Sequence, residues 1–183
     1  AVRRKIGLGK CSADIWLTVM HVAHELGMNT SATMMFGHIE GIADRIHHMD
    51  LVRKWQDKSL SDFERDGGGR YMAFISWPFQ RENTPLGRLP DWDDEGDFPG
   101  DVVAQLDGNG EKSADTDFGR RLRLAGASAY LRTQAISRLM LDNIYSIGAS
   151  WVTMGPHVGQ LALSFGANDM GSVMMEENVV SAA

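Results

Sequence analysis

Short apolar, partly β-branched runs alternate with helix-length amphipathic segments along this chain, and that alternation constrains the fold more than any other feature. Four runs read as strands: residues 30–36 (TSATMMF), 71–77 (YMAFISW), 149–153 (ASWVT) and 166–173 (GANDMGSV, strand with its loop). A first helix is signalled by Ser12 as N-cap and Asp14 in the first turn, with Ile15, Val19, Val22 and Leu26 at helical spacing and Gly27 as the stop. A second is expected over about 41–60, with Ile42, Ile46, Met49 and Val52 on its inner face, before the Gly67-Gly68-Gly69 loop. A third covers 127–144 with Leu131, Ala135, Leu139 and Asn143 at helical spacing, a short one covers 156–165 with Pro156 in its first turn, and another begins at Met174. The order α-β-α-β-α-β-α-β-α calls for parallel strands joined by crossover helices. Four such strands fit half of an eight-stranded barrel or part of an open doubly wound sheet. A whole barrel takes ~250 residues, this chain has 183, and no Gly-x-Gly-x-x-Gly turn or Walker loop follows a strand. The expected fold is therefore α/β, about four βα units forming half of a TIM-type (β/α)8 barrel over residues 1–183.

Composition narrows the function. With 43% hydrophobic residues and a formal charge of −6, the chain has enough apolar surface for a core. The acidic balance speaks against a general nucleic-acid surface. The most apolar window, 151–165, is interrupted by Pro156, His157 and Gln160 well short of a membrane span. The single cysteine, Cys11, excludes a disulfide scaffold and any cysteine-only metal site within the chain. The chain opens Ala-Val-Arg-Arg without an initiator Met and closes on a helix-like VVSAA, so a fragment of a longer protein is expected. Residues 85–126 differ in kind: rich in Gly and Pro, they gather Asp91, Asp93, Asp94, Glu95, Asp97 and Asp101 without a basic residue among them. Clustered carboxylates resist burial, so an acidic insertion on the rim is expected at about 88–125.

Ligands of parallel α/β folds bind at the C-terminal ends of the strands. There the sequence places Gly37-His38-Ile39-Glu40, Trp77 to Thr84 (WPFQRENT), Thr153-Met154-Gly155-Pro156-His157 and Asn168-Asp169-Met170-Gly171-Ser172, as a site for a polar, multifunctional substrate requires. His38 and Glu40 have weak metal-ligand spacing and no third partner in sequence, so no metal site is expected from them or from His47-His48. Glu40 also suits the N-terminus of the helix that follows, Asn168-Asp169 suits a turn, and the eleven methionines suit a core. His21 and His24 are expected at the surface or rim.

Read together, TMMFGHIE (33–40), FISWPFQRENT (74–84), ASWVTMGPHVGQLALSFGANDMGS (149–172) and MMEENVVSAA (174–183) resemble the radical S-adenosylmethionine enzymes of the futalosine menaquinone pathway. The resemblance covers nearly the whole chain apart from the acidic stretch. Trp-Pro-Phe-Gln at 77–80 favours the branch that cyclises dehypoxanthine futalosine over its sisters, aminofutalosine synthases and deazaflavin F0 synthase subunits. It implies that the strands are the fifth to eighth of a barrel. The superfamily carries Gly-x-Ile-x-Gly-x-x-Glu at the fifth strand, where backbone groups meet the adenine. Here the stretch is Thr33-x-Met35-x-Gly37-x-x-Glu40, so Gly37 and Glu40 match while Thr33 and Met35 depart. The implied cofactor-binding residues are Met35, Phe36, Gly37 and Glu40, with only a backbone role carried over. The Cys-x-x-x-Cys-x-x-Cys loop for a [4Fe–4S] cluster is not in this chain, so cluster and S-adenosylmethionine are expected in the full-length parent, and the chain alone is expected to bind no cluster and to be inactive.

The implied reaction is reductive cleavage of S-adenosylmethionine, hydrogen abstraction from the substrate ribose by the 5′-deoxyadenosyl radical, closure onto the aromatic ring, and oxidation. It implies a cytoplasmic enzyme, an electron donor such as flavodoxin or ferredoxin, and neither nucleic-acid nor membrane partners. A barrel mouth with Trp77, Phe79 and Met170 would exclude water, and His38, Trp77, Gln80, Asn83, Thr153, Asn168 and Asp169 are the expected substrate-binding residues. The loop 77–84 is expected to set substrate identity. A metal-dependent barrel hydrolase using His38 and Glu40, and an interaction module built on the acidic stretch, are the other classes the sequence admits.

Overall fold

The structure is a computed structural model that describes residues 2–7, 9–91 and 121–171. Its elements are α1 (Val2–Ile6), α2 (Ala13–Glu25), β1 (Thr30–Phe36), α3 (Ile42–Asp66), β2 (Tyr71–Pro78), a 3-10 turn (Leu86–Arg88), α4 (Ala127–Met140), β3 (Ser146–Gly148), α5 (Trp151–Met154) and α6 (Pro156–Ser164). The described strands form one parallel sheet in the order β1-β2-β3, so the crossover architecture expected from the alternation is present in these three.

Alternation along the strands decides which side chains meet the helices. Ala32, Met34 and Phe36 of β1 and Phe74 and Ser76 of β2 are buried, while Thr33, Met35, Ile75 and Trp77 on the opposite face are half-buried. A register shift pairs Thr30 with Tyr71 and Ser31 with Ala73, so Met72 is turned outward and Tyr71 and Phe74 both reach the core. Buried aromatics and aliphatics from β1, β2, β3, α3 and α4 complete that core, with Trp16 and Met20 of α2 packed against it. A second, smaller cluster lies at the rim: Ile39, Phe79 and Leu122, covered by Val2 and Ile6 of α1 and by Met35, Leu86 and Leu89.

Several expected boundaries are corrected. The third strand is Ser146–Gly148, not 149–153; the Trp-Val-Thr run instead forms the helical turn α5. The cause is local: Thr153 Oγ1 donates to the Ser150 carbonyl at 3.1 Å and lies 2.7 Å from Ser150 Oγ, closing a turn that β-branched composition alone does not suggest. The fourth strand is reduced, among the described residues, to one parallel bridge between Gly148 and Asp169; Val173 and the helix expected from Met174 lie outside them. Helix α4 ends at Met140 rather than 144, and Asn143 uses its amide to bind Arg53 O and Asp57. Helix α3 continues to Asp66, where Gly67 in the left-handed conformation closes it. The stripe Ile15, Val19, Val22 and Leu26 is exposed, because α2 packs through the interleaved face of Trp16, Leu17, Met20 and His24. His24 is buried rather than at the surface, its ring nitrogens 2.7 Å from Ser59 Oγ and 2.7 Å from Thr30 Oγ1; burial, then His21, lowers its pKa. The acidic segment's expected edges at 88 and 125 also move. Leu122 is fully buried, its N–H donates to Pro90 O at 2.8 Å, and Asp91 bridges to it. Asp93, Asp94, Glu95, Asp97 and Asp101 lie outside the described residues.

One buried amide fixes where β2 begins. Gln56 on α3 accepts the Tyr71 N–H at 2.9 Å and donates to the Tyr71 carbonyl at 2.9 Å and to Asn143 O at 3.1 Å. Removing it leaves buried backbone groups without partners, each worth about 1–3 kcal/mol. Gln56→Ala should lower the unfolding free energy, read by chemical denaturation, by at least the lower end of that range, about 1 kcal/mol; an unchanged midpoint would show that water replaces the amide without loss.

Candidate functional site

Parallel strands place their C-terminal ends on one edge, and the loop after β1 is the most highly organised feature there. Gly37 has φ +80°, and a Cβ on it would lie 2.7 Å from the Cβ of Ala125, so both conformation and space demand glycine. Glu40 is folded inward. Its Oε1 accepts the Gly37 N–H at 2.7 Å and Arg45 Nε at 2.8 Å, and its Oε2 accepts the His38 N–H at 2.9 Å. The buried His38 ring places Nδ1 2.8 Å from Glu40 Oε2 and 2.8 Å from the Ile39 N–H, with Nε2 3.3 Å from Met35 O. A proton on Nδ1 serves the carboxylate; a lone pair there serves the amide. Phe79 meets the His38 ring edge-on at 6.1 Å.

Burial works to raise the Glu40 pKa, but the His38 hydrogen bond and charge, Arg45 and the Gly37 N–H outweigh it and hold the pKa at about 2. The carboxylate is therefore ionised and fully engaged by its own loop. The helix-start role suggested for Glu40 belongs to Asp44, whose Oδ2 accepts the Gly41 N–H at 3.0 Å. Arg45 in turn sits over the Phe36 ring, 4.7 Å from its centroid, and reaches Thr133 Oγ1 at 3.4 Å. Phe36 is buried on the helix side and stacks with Tyr130 at 6.3 Å, so only its backbone faces the rim. Met35 points to the other face, against the Ile39–Phe79–Leu122 cluster.

The remaining rim residues divide. Trp77 is half-buried beside Met35 in the register, and Gln80 donates Nε2 to Pro78 O at 3.3 Å, so both stand with His38 at the ends of β1 and β2. Asn83 is exposed with φ +57°, the left-handed turn conformation that Asn tolerates. Thr153 is committed to Ser150 within α5. Asn168 accepts the Ile147 N–H at 2.8 Å and Arg138 Nη2 at 2.9 Å and donates to Tyr145 O at 2.9 Å. Asp169 accepts Ser146 Oγ at 3.0 Å and the Gly171 N–H at 2.7 Å. These two bind the flank of β3 rather than projecting from the rim.

Sequence reasoning missed the inner face of α4. Of the residues at helical spacing, Leu131 packs against the core while Leu139 is 79% exposed, and Tyr130, Thr133, Gln134 and Ser137 are the buried set. Gln134 Nε2 donates to Tyr130 Oη at 2.8 Å and to Gly148 O at 2.7 Å, and the Ser150 N–H donates to Tyr130 Oη at 2.6 Å. This ties the end of β3 to the helix. The available signal was four hydrogen-bonding side chains recurring at helical spacing.

No group of three or more His, Cys, Asp or Glu among the described residues is placed to hold a metal. Cys11 is exposed, with Arg3 Nη2 3.6 Å from its Sγ, and one thiol does not make a cluster site. The residues described do not fit an iron–sulfur cluster. In loop 37–40 the N–H groups of Gly37, His38 and Ile39 are all taken within the loop, and Glu40 fixes its shape without offering a free carboxylate.

A carboxyl group held at about 2 when folded, against its ordinary 4.5, stabilises the fold above pH 4.5 and loses that contribution as pH falls from about 4.5 to about 2. Glu40→Gln should lower stability at neutral pH by roughly 2–3 kcal/mol and flatten the fall across that acid window, as measured by denaturation at a series of pH values. An identical pH profile in both proteins would show the loop does not depend on the charge.

Residues 113–183 match the family described as the CofH/MqnC C-terminal region. The chain is 36% identical over 181 residues to the cyclic dehypoxanthine futalosine synthase of Streptomyces coelicolor, covering 99% of this chain and 35% of the relative. It is 33% identical over 182 residues to the aminodeoxyfutalosine synthase of Thermus thermophilus, covering 100% and 39%. It is 34% identical over 185 residues to a 5-amino-6-(D-ribitylamino)uracil–L-tyrosine 4-hydroxyphenyl transferase of Methanothermobacter thermautotrophicus, covering 100% and 40%. The chain thus spans between one third and two fifths of the length of these curated relatives. Over nearly its whole length the chain is similar to these relatives, and residues 113–183 match the CofH/MqnC C-terminal region.

Proposed function

We propose that a full-length protein carrying this chain is a radical S-adenosylmethionine enzyme that converts dehypoxanthine futalosine to its cyclic form in menaquinone biosynthesis. Residues 1–183 then form the C-terminal half of a (β/α)8 barrel, with the acidic segment as an insertion at its rim. The observation that carries the reading is the loop 37–40, a fixed backbone turn at the end of a parallel strand, in a chain similar over its whole length to a synthase of that name. Two further features support the barrel. Among the described residues, edge strand β1 has a neighbour on one side only, and α2 beside it exposes an apolar stripe, which is what a preceding βα unit would cover.

S-adenosylmethionine and a [4Fe–4S] cluster, the latter ligated outside this chain, would supply the radical chemistry, with a flavodoxin or ferredoxin as electron donor in the cytoplasm. The chain's own residues bind and orient. Gly37 and the backbone beside it offer a rigid surface to the adenosine, and Glu40 and Arg45 hold that surface. Met35, Phe79 and Trp77 keep water from the mouth, Gln80 presents its amide to the substrate, and His38, buried with both ring nitrogens engaged, holds the loop. The exposed, left-handed Asn83 serves the turn, and Asn168 and Asp169 serve β3. No helix among the described residues is long and apolar enough to cross a membrane. The similarity to an aminodeoxyfutalosine synthase and a hydroxyphenyl transferase supports a second reading, a sister activity on the same scaffold.

Anaerobic assay of the reconstituted full-length enzyme separates these. Turnover of dehypoxanthine futalosine is expected, and formation only of a sister product would overturn the cyclase. Gln80→Ala should lower that turnover roughly tenfold to a hundredfold, as loss of a buried hydrogen-bonding partner does, with S-adenosylmethionine cleavage continuing uncoupled. Asn83→Gly should turn over normally; a loss equal to that of Gln80→Ala would return Asn83 to the substrate site.

A further inference from the structure

We infer that Arg81 is a positioning residue for the loop 37–40: by clasping Asp91 and the carbonyls of its own loop, it holds the segment 121–125 against the outer side of that loop. The inference rests on the reading of 37–40 as a ligand-binding turn, but the mechanical coupling itself is independent of any ligand. All the guanidinium's nitrogens are engaged. Nη1 donates to Asp91 Oδ1 at 2.7 Å and Oδ2 at 2.9 Å, Nη2 to Gly87 O at 2.9 Å and Leu89 O at 3.1 Å, and Nε to Gly87 O at 3.1 Å. The turn they enclose is wound so tightly that a Cβ on Gly87 would lie 1.8 Å from the Arg81 carbonyl oxygen. Thr84 Oγ1 donates to that same oxygen at 2.9 Å and accepts the Gly87 N–H at 3.0 Å.

From Asp91 the constraint passes outward in three backbone steps. Asp91 forms a parallel bridge with Leu122, whose N–H donates to Pro90 O at 2.8 Å. The next amide, Arg123 N–H, donates to the His38 carbonyl at 2.9 Å. Two residues on, Ala125 presses on Gly37 at the distance that forbids a side chain there. The loop 37–40 is thus gripped from inside by Glu40 and from outside by a segment whose placement Arg81 sets through Asp91. Stability is not what the clasp chiefly supplies. Arg81 and Asp91 are 29% and 60% exposed, and exposed pairs of this kind add little to folding. A five-donor fork fixes geometry in a way that a single ammonium cannot.

The test is amide hydrogen exchange, resolved to single residues by mass spectrometry with fragmentation, on the full-length protein carrying this chain, unaltered and with Arg81→Lys, and with Asp91→Ala as a second variant. The amides of Gly37, His38 and Arg123 should exchange about tenfold faster or more in both variants, while that of Phe74 in the central strand keeps its rate. Unchanged exchange at Gly37 and His38 would overturn the inference, because the grip would not reach the loop. An equal rise at Phe74 would overturn it too, because Arg81 would then act only on global stability. Failure of the ligand reading shows separately, as absence of S-adenosylmethionine binding by the unaltered full-length enzyme.

Discussion

A carboxylate taken out of water must find compensating donors, and Glu40 finds them in the backbone of the loop it closes. Two N–H groups, a histidine ring and a guanidinium converge on its two oxygens. Because Arg45 belongs to α3 and also reaches Thr133 on α4, the same carboxylate ties the end of β1 to α3 and α4. The turn at Gly37 has little freedom left. A ligand that meets this loop meets a surface whose ordering cost has been met in folding, the condition under which backbone recognition is precise.

The other strand ends are held by the same device, a buried polar side chain spent on backbone groups. Gln134 and Tyr130 fix Gly148 and Ser150 at the end of β3, and Gln56 fixes Tyr71 at the start of β2. Buried networks of this sort are costly if incomplete and specify one arrangement when satisfied. That explains why the inward face of α4 is polar. Its task is to hold two strand ends in register with each other, which leucines in those positions could not do.

The parallel α/β class and the first two strands were legible because strand pattern and crossover length are written in local composition. Residues 30–36 and 71–77 emerge as β1 and β2 nearly to the residue. The third strand was not legible, since Ser-Ile-Gly contains a single apolar side chain and its identity depends on pairing with Ala73, Phe74 and Ile75. The packed faces of α2 and α4 were not legible for a related reason. Both helices carry two stripes at the same spacing, and periodicity states that a face exists without stating which one turns inward. At the site, Gly37 and Glu40 were found through a motif, whereas Arg45, Arg81 and Tyr130 were missed because each acts on groups far away or unmarked in sequence.

The role proposed for loop 37–40 is that of a preformed surface for an adenosine. Calorimetric titration of S-adenosylmethionine into the anaerobically reconstituted full-length protein, unaltered and with Gly37→Ala, tests it most directly. The methyl group collides with Ala125 and strains a left-handed backbone, so the account predicts binding by the unaltered protein and at least about tenfold weaker binding by the variant, with the cluster's visible absorbance retained. Equal affinities in two equally loaded proteins would contradict it.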